Sequence, residues 1–411
     1  MTGPLVLIEP YADRLGGHHQ RTLVALTQAR PGSLVITPHG VARDTATALR
    51  KAGARLVTAP PGWPGAVLLA ASRLAAGVST AGQRAFRSRR WPRVLRRLPH
   101  QVTLVARCLA EASALRTARR LEPGVEAVVI LTASEALHGA AARLGGQPHL
   151  RLIHEQVTTE DAVVRLLGRL ARRGERRVLA VYPTPAVADE FAAAFPRLPA
   201  VVRAFAVDDG HRLTHAEREG GRAAFGIPAV EAVVCLVGGW WPYKDIATVE
   251  AALARLKEPL HVIVVGAPLD EAVLDRWRAL PNLRLHTVPS PVAESVLRLA
   301  YGTADAALVA RQPGVGKESG VVMDAARLGV PLIVSDHDAA LTARLRGQPW
   351  ALSFPAGDPD GLADALHALV RQPLPRPGPE TPHLLGMWTA AEQADFLTHA
   401  FAPLRTKESP C

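Results

Sequence analysis

The stretch that decides the fold spans residues 307–336 and reads ALVARQPGVGKESGVVMDAARLGVPLIVSD. An apolar run typical of a buried strand leads into a polar, glycine-rich loop, and the loop leads into a helix with Ser319 near its cap. The helix is expected to end at Gly329, and Pro331 opens the next apolar strand. Strand, loop, helix and strand in this order predict a βαβ unit with parallel strands.

Lysine is scarce in this chain, which has five among its 48 basic residues. Two of the five lie where a strand passes into a helix: Lys317 in the glycine-rich loop, and Lys244 after the turn at Gly238 and Gly239. Both places suit an anion such as phosphate, because free backbone N–H groups point toward it and glycine lets the backbone approach closely. At Lys244 the alternative is an ordinary turn with a solvent-exposed lysine.

Short apolar runs alternate with longer helical stretches along the chain, which predicts an α/β protein with parallel sheets. In the first half we expect strands at 5–9, 34–37, 55–58, 127–131, 150–153, 178–182 and 201–205, and helices at 17–30, 102–120, 157–173 and 185–194. In the second half we expect strands at 232–237, 261–265, 283–287, 305–309, 331–334 and 351–354, and helices at 245–257, 269–279, 291–301, 319–329, 339–346, 360–371 and 385–403.

A chain of 411 residues with two such alternations predicts two doubly wound, Rossmann-like domains. The expected boundaries are an N-terminal domain at 1–206, a linker at 207–229, a C-terminal domain at 230–380, and a C-terminal helix that docks back, with a tail, at 381–411. Ligands of open parallel sheets bind beyond the carboxyl ends of the strands. Two facing domains would place two such edges across one cleft, which is the expected active site.

The glycine-rich loop offers several groups that suit a diphosphate. We expect the backbone amides of Ser319 and Gly320 to bind it at the helix N-terminus, with positive charge from Arg311 and Lys317. We expect Glu318 to accept hydrogen bonds from sugar or ribose hydroxyls. The loop differs from a Walker loop, because a glutamate follows its Gly-Lys pair and the four-residue spacing between glycines is absent.

From about 232 to 371 the chain resembles the C-terminal domain of GT-B glycosyltransferases, close to the family 4 type. The resemblance rests on a glycine turn followed by a lysine at 237–245, and on the pattern Ala-x-x-x-Gly-x-Pro within 324–331. An N-terminal loop at 15–19, with Gly16 and Gly17, resembles the family's Gly-Gly loop near the donor phosphates and the acceptor.

The resemblance implies two facing Rossmann-like domains, with a nucleoside diphosphate sugar on the C-terminal domain and the acceptor on the N-terminal one. It implies transfer of a hexose-type sugar, usually with retention, with the nucleotide-sugar as co-substrate, no other cofactor and no required metal. Gly239 stands where the family usually has arginine, so we expect Arg311 or Lys317 to supply that charge. Of the family's two glutamates eight residues apart, Asp324 takes the second place, and Glu318 lies six residues before it.

Catalysis by such an enzyme requires cations near the leaving diphosphate, a role we expect Lys244, Lys317 and Arg311 to fill. His154, at the end of a strand, is the favoured catalytic side chain of the N-terminal domain, and His138 is the alternative. A hydrogen-bonded structural histidine is an equally open interpretation of either residue. In retaining transfer the donor phosphate can itself act as the base, so no side-chain base is required.

Three further features bear on metal, membrane and compartment. Asp336-His337-Asp338 imitates the Asp-x-Asp metal motif of the other major glycosyltransferase fold, but we expect it to cap the following helix and expect no metal. No uninterrupted run of about 18 apolar residues appears, so no transmembrane helix is expected. The three cysteines are far apart, which indicates a reduced, cytoplasmic setting.

The chain is strongly basic, with a net charge of +11 and arginine clusters at 84–97 and 165–177. One interpretation is solvated helix faces. The other is attraction to an anionic acceptor, or peripheral contact with the inner face of an anionic membrane. Nucleic acid is not expected as a partner, because the clusters contain only Trp91 and Phe86 as aromatic residues and no known nucleic-acid motif.

Two functions other than glycosyl transfer stay open at this point. Nucleotide-sugar 2-epimerases share the fold, and a non-catalytic protein could bind an anionic surface through the basic N-terminal domain. The acceptor of a transferase is not identified by the sequence, and a small molecule, a saccharide or a lipid-linked acceptor would each fit.

Overall fold

The computed structural model describes residues 3–13, 18–86, 92–134, 137–154, 172–289, 293–316 and 318–406. Their contacts divide the chain into two compact units. Unit 1 combines the described parts of 1–14, 18–207 and 390–411, and unit 2 contains the described parts of 208–389.

Unit 1 is built on a seven-stranded parallel sheet. Its strands are β1 Val6–Ile8, β2 Leu34–Ile36, β3 Arg55–Val57, β4 Val128–Ile130, β5 His149–Leu152, β6 Val178–Tyr182 and β7 Ala200–Val202. They lie in the order β3-β2-β1-β4-β5-β6-β7, with Val6 opposite both Leu34 and Val128. β1, β2 and β4 are buried at every residue, as expected for parallel strands covered on both faces. Six of the seven strands lie where the sequence predicts them, and β7 overlaps its predicted range, 201–205, by two residues.

The helices of unit 1 were predicted less completely. They are α1 His18–Ala29, α2 Arg43–Lys51, α3 Trp63–Ala85, α4 Arg93–Leu121, α5 His138–Gly145 and α6 Pro185–Ala194, with a 3-10 helix at Arg172–Arg177. The sequence predicts α1 and α6, and the second part of α4, but not α2, α3 or α5. The helix expected at 157–173 falls almost entirely outside the described residues.

The segment 60–100, which shows no regular sequence pattern, contains α3 and the start of α4. The two long helices pack through small side chains: Ser72 donates to the Ala106 carbonyl at 2.7 Å, and Ser79 to the Pro99 carbonyl at 2.7 Å. By length and composition alone, α3 is the one described helix that could cross a membrane. Its sequence has no uninterrupted apolar run of about 18 residues, because Arg73 and several small polar residues interrupt it, and the expectation that no transmembrane helix is present stays a prediction.

The chain enters unit 2 at the short strand β8 Val207–Asp208, and unit 2 is built on a six-stranded parallel sheet. Its strands are β9 Val233–Val237, β10 Leu260–Gly266, β11 Leu283–Pro289, β12 Ala306–Val309, β13 Leu332–Ser335 and β14 Ala351–Phe354. Their order is β11-β10-β9-β12-β13-β14. The chain runs outward from β9 to β11 and then continues on the other side of β9 with β12. This reversal makes the gap between β9 and β12 the switch point of the sheet.

Unit 2 also contains eight described helices, which agree closely with the sequence except at α7 and α14. They are α7 His215–Phe225, α8 Ile246–Leu253, α9 Glu271–Arg278, α10 Glu294–Thr303, α11 Gly320–Leu328, α12 Ala339–Leu345, α13 Pro359–Arg371 and α14 Thr381–Leu384. The structure places residues 208–229, expected as a linker, inside unit 2. There α7 begins with a reciprocal capping box between Thr214 and Glu217, and Arg222 binds both carboxylate oxygens of Asp305 at 2.8 Å.

The chain returns to unit 1 after a short strand, β15 Trp388–Thr389, and ends in the helix α15 Ala390–Thr406. The apolar residues of α15 that join the core of unit 1 are Ala394, Leu397, Phe401 and Leu404. Arg30, at the end of α1, forms an ion pair with Asp395. The C-terminal helix therefore docks on unit 1.

Candidate active site

Three of the predicted site residues meet at the switch point of unit 2. β9 and β12 are neighbours in the sheet, and their carboxyl ends lead to Lys244 and Arg311, respectively. A cavity of about 30 Å³ is lined by Lys244, Arg311 and Ser319, among others. Liquid water occupies about 30 Å³ per molecule, so the cavity accommodates one small group. It is far smaller than a pocket for a whole drug-sized ligand, which measures roughly 300–1,000 Å³.

The Lys244 ammonium group is held at the end of β9. Nζ donates to the carbonyl oxygens of Val237 at 2.7 Å and Gly238 at 3.0 Å. An ammonium group has three N–H donors, and these two bonds are the ones it makes within the described part of the chain. Burial, and after it the neighbouring Arg311 cation, lower the pKa of Lys244 to about 8. The charge is thus oriented and only partly solvated.

Arg311 is buried beside Lys244 and is oriented by its backbone and side chain. Its N–H donates to the Ser335 hydroxyl at 3.0 Å, and its Nη2 donates to the Glu318 carbonyl at 3.3 Å. The guanidinium carbon lies 5.4 Å from the centre of the Tyr243 ring. Burial lowers the pKa of Arg311, while Tyr243 and nearby carboxylates act in the opposite direction. Arginine remains charged in such an environment, so the site carries a permanent cation.

Ser319 caps α11, as predicted. Its hydroxyl accepts a hydrogen bond from the Val322 amide at 3.4 Å, and the helix starts at Gly320. The first amides of a helix lack intrahelical partners and carry the positive end of the helix dipole, which favours an anion there. Glu318, just before the cap, is partly buried. Lys317 lies outside the described residues.

The glycine turn after β9 packs against the loop that follows β10. Gly238 has φ of 88°, and a Cβ on the buried Gly239 would overlap the Ala267 carbonyl. The Trp240 amide donates to the Pro268 carbonyl at 2.7 Å. Gly239 therefore allows the protein's own backbone at Ala267 to lie close to the turn. A contact between Gly239 and the donor stays a prediction.

Asp324 does not line the described cavity, although the sequence assigns it to the donor site. It lies 3.9 Å from Arg327 Nη2. Arg327 is itself buried and binds the carboxylates of Asp209 at 3.0 Å and Glu294 at 3.5 Å. Asp324 is thus one of three carboxylates around a single arginine. Glu318 is also absent from the described lining of the cavity.

The N-terminal candidates lie in unit 1. Gly16 and Gly17 lie outside the described residues. His154 follows β5, and its Nε2 lies 2.8 Å from the Leu131 carbonyl, to which it donates. Its ring packs edge-on against His19 at 4.4 Å and Phe205 at 4.3 Å between centroids. Burial, and after it His19, hold the pKa of His154 well below its ordinary value, so the imidazole is neutral at pH 7.

Of the acidic pair after β13, Asp338 caps the following helix, as predicted, and Asp336 does not. The Asp338 carboxylate accepts from the Leu341 amide at 2.9 Å and caps α12. Asp336 accepts from the Ala356 amide at 2.7 Å. His337 lies between the two aspartates along the chain and is buried. Burial, and after it the neighbouring Arg311 cation, lower the pKa of His337 to about 4. Among the described residues, no group of three or more metal-ligating side chains is present.

Most of the sequence of unit 2 matches a known protein family. Residues 231–372 match the family described as Glycosyl transferases group 1. The chain carries a group 1 glycosyltransferase domain. This domain contains β9 to β14 and all the site residues of unit 2, from Gly239 to Asp324. No curated protein matches the sequence significantly.

Solved structures show that the architecture around this glycosyltransferase domain is the GT-B fold. Anabaena Alr3699/HepE in complex with UDP-glucose is 14% identical, with a TM-score of 0.60 over 98% of each chain. An α,α-trehalose-phosphate synthase (UDP-forming) from Burkholderia xenovorans is 14% identical, with a TM-score of 0.59 over 98% of this chain and 100% of that one. The lipopolysaccharide outer core galactosyltransferase WaaB is 11% identical, with a TM-score of 0.51 over 99% and 100%. At these identities the likeness shows the fold alone.

Two residues of the glycosyltransferase domain that support Arg311 were missed. Ser335 ends β13, and its hydroxyl accepts from the Arg311 amide at 3.0 Å. His337 Nδ1 lies 2.9 Å from the same hydroxyl. Ser335 is the last residue of β13, the strand next to β12, and His337 follows it, so their position at a carboxyl strand end was a usable signal.

Proposed function

We propose that the protein transfers a hexose-type sugar from a nucleoside diphosphate donor to an acceptor, with retention of anomeric configuration. The observation that carries the proposal is the meeting of Lys244, Arg311 and the start of α11 at the switch point of a group 1 glycosyltransferase domain. Uridine is the favoured base, because structural neighbours were solved with UDP or UDP-glucose or are named UDP-forming.

The proposed chemistry needs positive charge where the donor breaks. When the bond between the sugar and the diphosphate is cleaved, the leaving diphosphate gains negative charge. Lys244 and Arg311 are fixed in place before the reaction, so they stabilise that charge without reorganising. The first amides of α11, next to Ser319, add the positive end of the helix dipole. We assign Lys317 to the same role.

Retention is consistent with a donor phosphate oxygen that takes the proton of the acceptor hydroxyl. In this proposal His154 has no obligatory part as a base, because the donor phosphate takes the proton. The neutral imidazole instead orients the groups around it at the carboxyl edge of unit 1. We propose that unit 1 binds the acceptor, with a small molecule, a saccharide and a lipid-linked acceptor still open, and that the reaction occurs in the cytoplasm.

The proposal needs no metal, since lysine, arginine and amide groups supply the charge. Asp336 and Asp338, which would be the metal ligands of an Asp-x-Asp site, are engaged with backbone amides instead. We expect turnover to be unchanged by EDTA, measured as release of nucleoside diphosphate. A loss of turnover that added magnesium or manganese restores would contradict this part of the proposal.

The test of function is incubation of the purified full chain with UDP-, GDP- and dTDP-sugars. Calorimetry reports which donor binds, and mass spectrometry and NMR identify products with a panel of acceptors. Nucleotide release that depends on an acceptor, with an axial or equatorial product linkage matching the donor, supports retaining transfer. An epimerised sugar without acceptor would show the 2-epimerase instead. Failure to bind any nucleotide-sugar would rule out both enzymes.

A further inference from the structure

Helix α3 exposes large apolar side chains along one face. Trp63 is 78% exposed, Val67 56%, Leu74 72% and Val78 56%. Their spacing of four, seven and four residues places them on one side of an α-helix. A 23-residue helix is about 34 Å long, so the face runs over a length comparable to the diameter of a small domain. Exposed apolar surface of this extent marks an interaction site.

The other side of α3 is fixed to the body of unit 1. Ser72 and Ser79 are buried and donate to carbonyls of α4, and Ser113 of α4 donates to the Gly65 carbonyl at 2.8 Å. α4 in turn contributes Leu115 to the main core of unit 1. A helix anchored in this way along its length cannot leave the unit to span a bilayer without breaking these bonds. Its apolar face is instead presented outward as part of the folded unit.

The sequence that contains α3 is strongly basic. Between Asp44 and Glu111 the chain has twelve basic residues and no acidic one. Exposed arginines lie on α3 itself and on the parts of α4 next to the two ends of α3. They are Arg73, Arg84, Arg96, Arg97, Arg116, Arg119 and Arg120. Within the described residues, none of these seven forms an ion pair with a carboxylate, so their charges are open to an external anion.

A cavity at the N-terminal end of α3 adds space for a headgroup. It measures about 460 Å³, and its lining includes Gly62, Arg116, Arg119, Arg120 and Arg143. Arginine binds phosphate oxygens with paired N–H groups. The apolar face of α3 is therefore bordered by phosphate-binding chemistry at both of its ends.

We propose that the outward face of α3 docks unit 1 onto an anionic phospholipid bilayer. Trp63, Val67, Leu74 and Val78 enter the boundary between headgroups and acyl chains, with the helix axis parallel to the surface. The flanking arginines bind lipid phosphates, and Arg73 and Arg84, three turns apart, border one edge of the inserted face. This inference is independent of which donor and acceptor the enzyme uses.

A second copy of the chain fits this face less well. An antiparallel pair of α3 helices would bring the arginines near Arg84 against those near Arg119 of the other copy. A parallel pair would bring each cluster against itself. Either arrangement places like charges together at both ends of the contact, which opposes association. An anionic bilayer matches the apolar face and the charge at the same time.

The experiment is flotation of the full chain with lipid vesicles. We expect binding to mixed phosphatidylcholine–phosphatidylglycerol vesicles, weak binding to pure phosphatidylcholine vesicles, and loss of binding at high salt. Leu74→Glu and Val78→Glu should each lower the partition coefficient by about tenfold or more. The control is Gln83→Glu, which adds the same charge to the same helix. Gln83 is exposed and lies nine residues from Leu74, two and a half turns away, on the opposite side.

Circular dichroism and thermal melting establish that the variants fold. Equal loss of binding in Leu74→Glu and Gln83→Glu would show charge dependence without insertion and would overturn the docking face. Equal binding to neutral and anionic vesicles would overturn the role of the arginines. If the wild-type chain binds neither vesicle and Leu74→Glu converts a dimer to a monomer in sedimentation, the face is a contact between copies and the proposal is wrong.

Discussion

Lys244 and Arg311 are joined by an isolated antiparallel bridge between their backbones, at the carboxyl ends of β9 and β12. On either side of this bridge, the Gln312 amide donates to the Tyr243 carbonyl at 2.9 Å, and the Asp245 amide to the Ala310 carbonyl at 3.2 Å. The bridge ties the two loops at the switch point together, so both cations are held at one place before a ligand binds. The effect of Arg311 on the pKa of Lys244 follows from this proximity.

Removal of the Lys244 charge should reduce catalysis far more than folding. We expect Lys244→Ala to lower kcat by about 10²–10³-fold, the usual loss when one fixed donor to a developing anion is removed. Lys317→Ala should have an effect of similar size. Lys257→Ala is the control, because Lys257 is an exposed lysine of the same unit. Turnover rates and melting temperatures check the prediction, and near-normal turnover in Lys244→Ala and Lys317→Ala would refute the site.

The pKa of Lys244 predicts how the reaction responds to alkaline pH. Burial first and Arg311 second lower it from 10.5 to about 8, and only the protonated form stabilises the leaving group. Activity as kcat/KM, which reports the free enzyme, should therefore fall as pH rises above about 8. A bound diphosphate raises the pKa of a nearby cation, so the fall in kcat should occur at higher pH. A pH–rate series measures the alkaline fall in kcat/KM and in kcat. If the residual activity of Lys244→Ala shows the same alkaline fall as the wild type, the fall belongs to another group.

The lowered pKa of Lys244 should make stability rise with pH, whereas it makes activity fall. Because the folded-state pKa of Lys244 is below the ordinary value of 10.5, the unfolded chain binds more protons between about pH 8 and 10.5. The contribution of this lysine to stability should therefore increase as pH rises through that window. The difference in urea midpoint between the wild type and Lys244→Met, followed from pH 7 to pH 10, isolates this contribution. A constant difference over that range would contradict the shifted pKa.

The fold could be predicted from the sequence to the extent that it depends on local pattern. The strands of both sheets are short apolar runs ended by glycine, proline or polar residues, and they were placed correctly. α3 was missed because its apolar residues surround the helix and its packing uses serine and glycine. Gly62 is its N-cap, and Pro64 lies in its first turn. The capping box of Thr214 and Glu217, which starts α7, was likewise readable in the sequence.

The candidate site was predictable where it depends on strand ends and helix starts. Lys244 and Arg311 follow β9 and β12, and Ser319 caps the helix α11 that comes after β12, so their meeting follows from the order of the strands. Asp324 was assigned by spacing along the chain. Its actual environment depends on Arg327, which also binds the distant Asp209, and no local pattern shows that contact.

A buried ion pair in unit 1 should be important for its stability. Arg151 is 0% and Glu111 1% exposed, and their side chains meet at 2.7 Å. Glu111 also accepts from the Ser134 amide at 2.7 Å. We expect Glu111→Gln to lower the free energy of unfolding by about 3–5 kcal/mol, because it leaves a buried arginine without its counter-charge. Asp395→Asn, which removes the half-exposed partner of Arg30, should cost at most about 1 kcal/mol. Urea denaturation compares the two, and equal effects would contradict the prediction.

Gly239 stands where the family usually has arginine, and this difference provides a test of how the site is built. If position 239 had room for a side chain, Gly239→Arg would add a cation and raise turnover. The structure predicts the reverse, because any Cβ at this position overlaps the Ala267 carbonyl and must displace the turn that carries Lys244. We expect both Gly239→Ala and Gly239→Arg to destabilise the protein by about 1–3 kcal/mol, as overpacking does, and to lower kcat.

Gly220→Ala is the matched control for this test, since Gly220 lies within α7 with open space around its Cβ position. Alanine is favoured over glycine inside a helix by about 0.5–1 kcal/mol, so this variant should melt at a higher temperature with unchanged turnover. Melting curves and donor turnover of the three variants are compared directly. A Gly239→Arg variant with higher turnover than the wild type would show that the turn can yield, and that Arg311 does not replace the family's arginine.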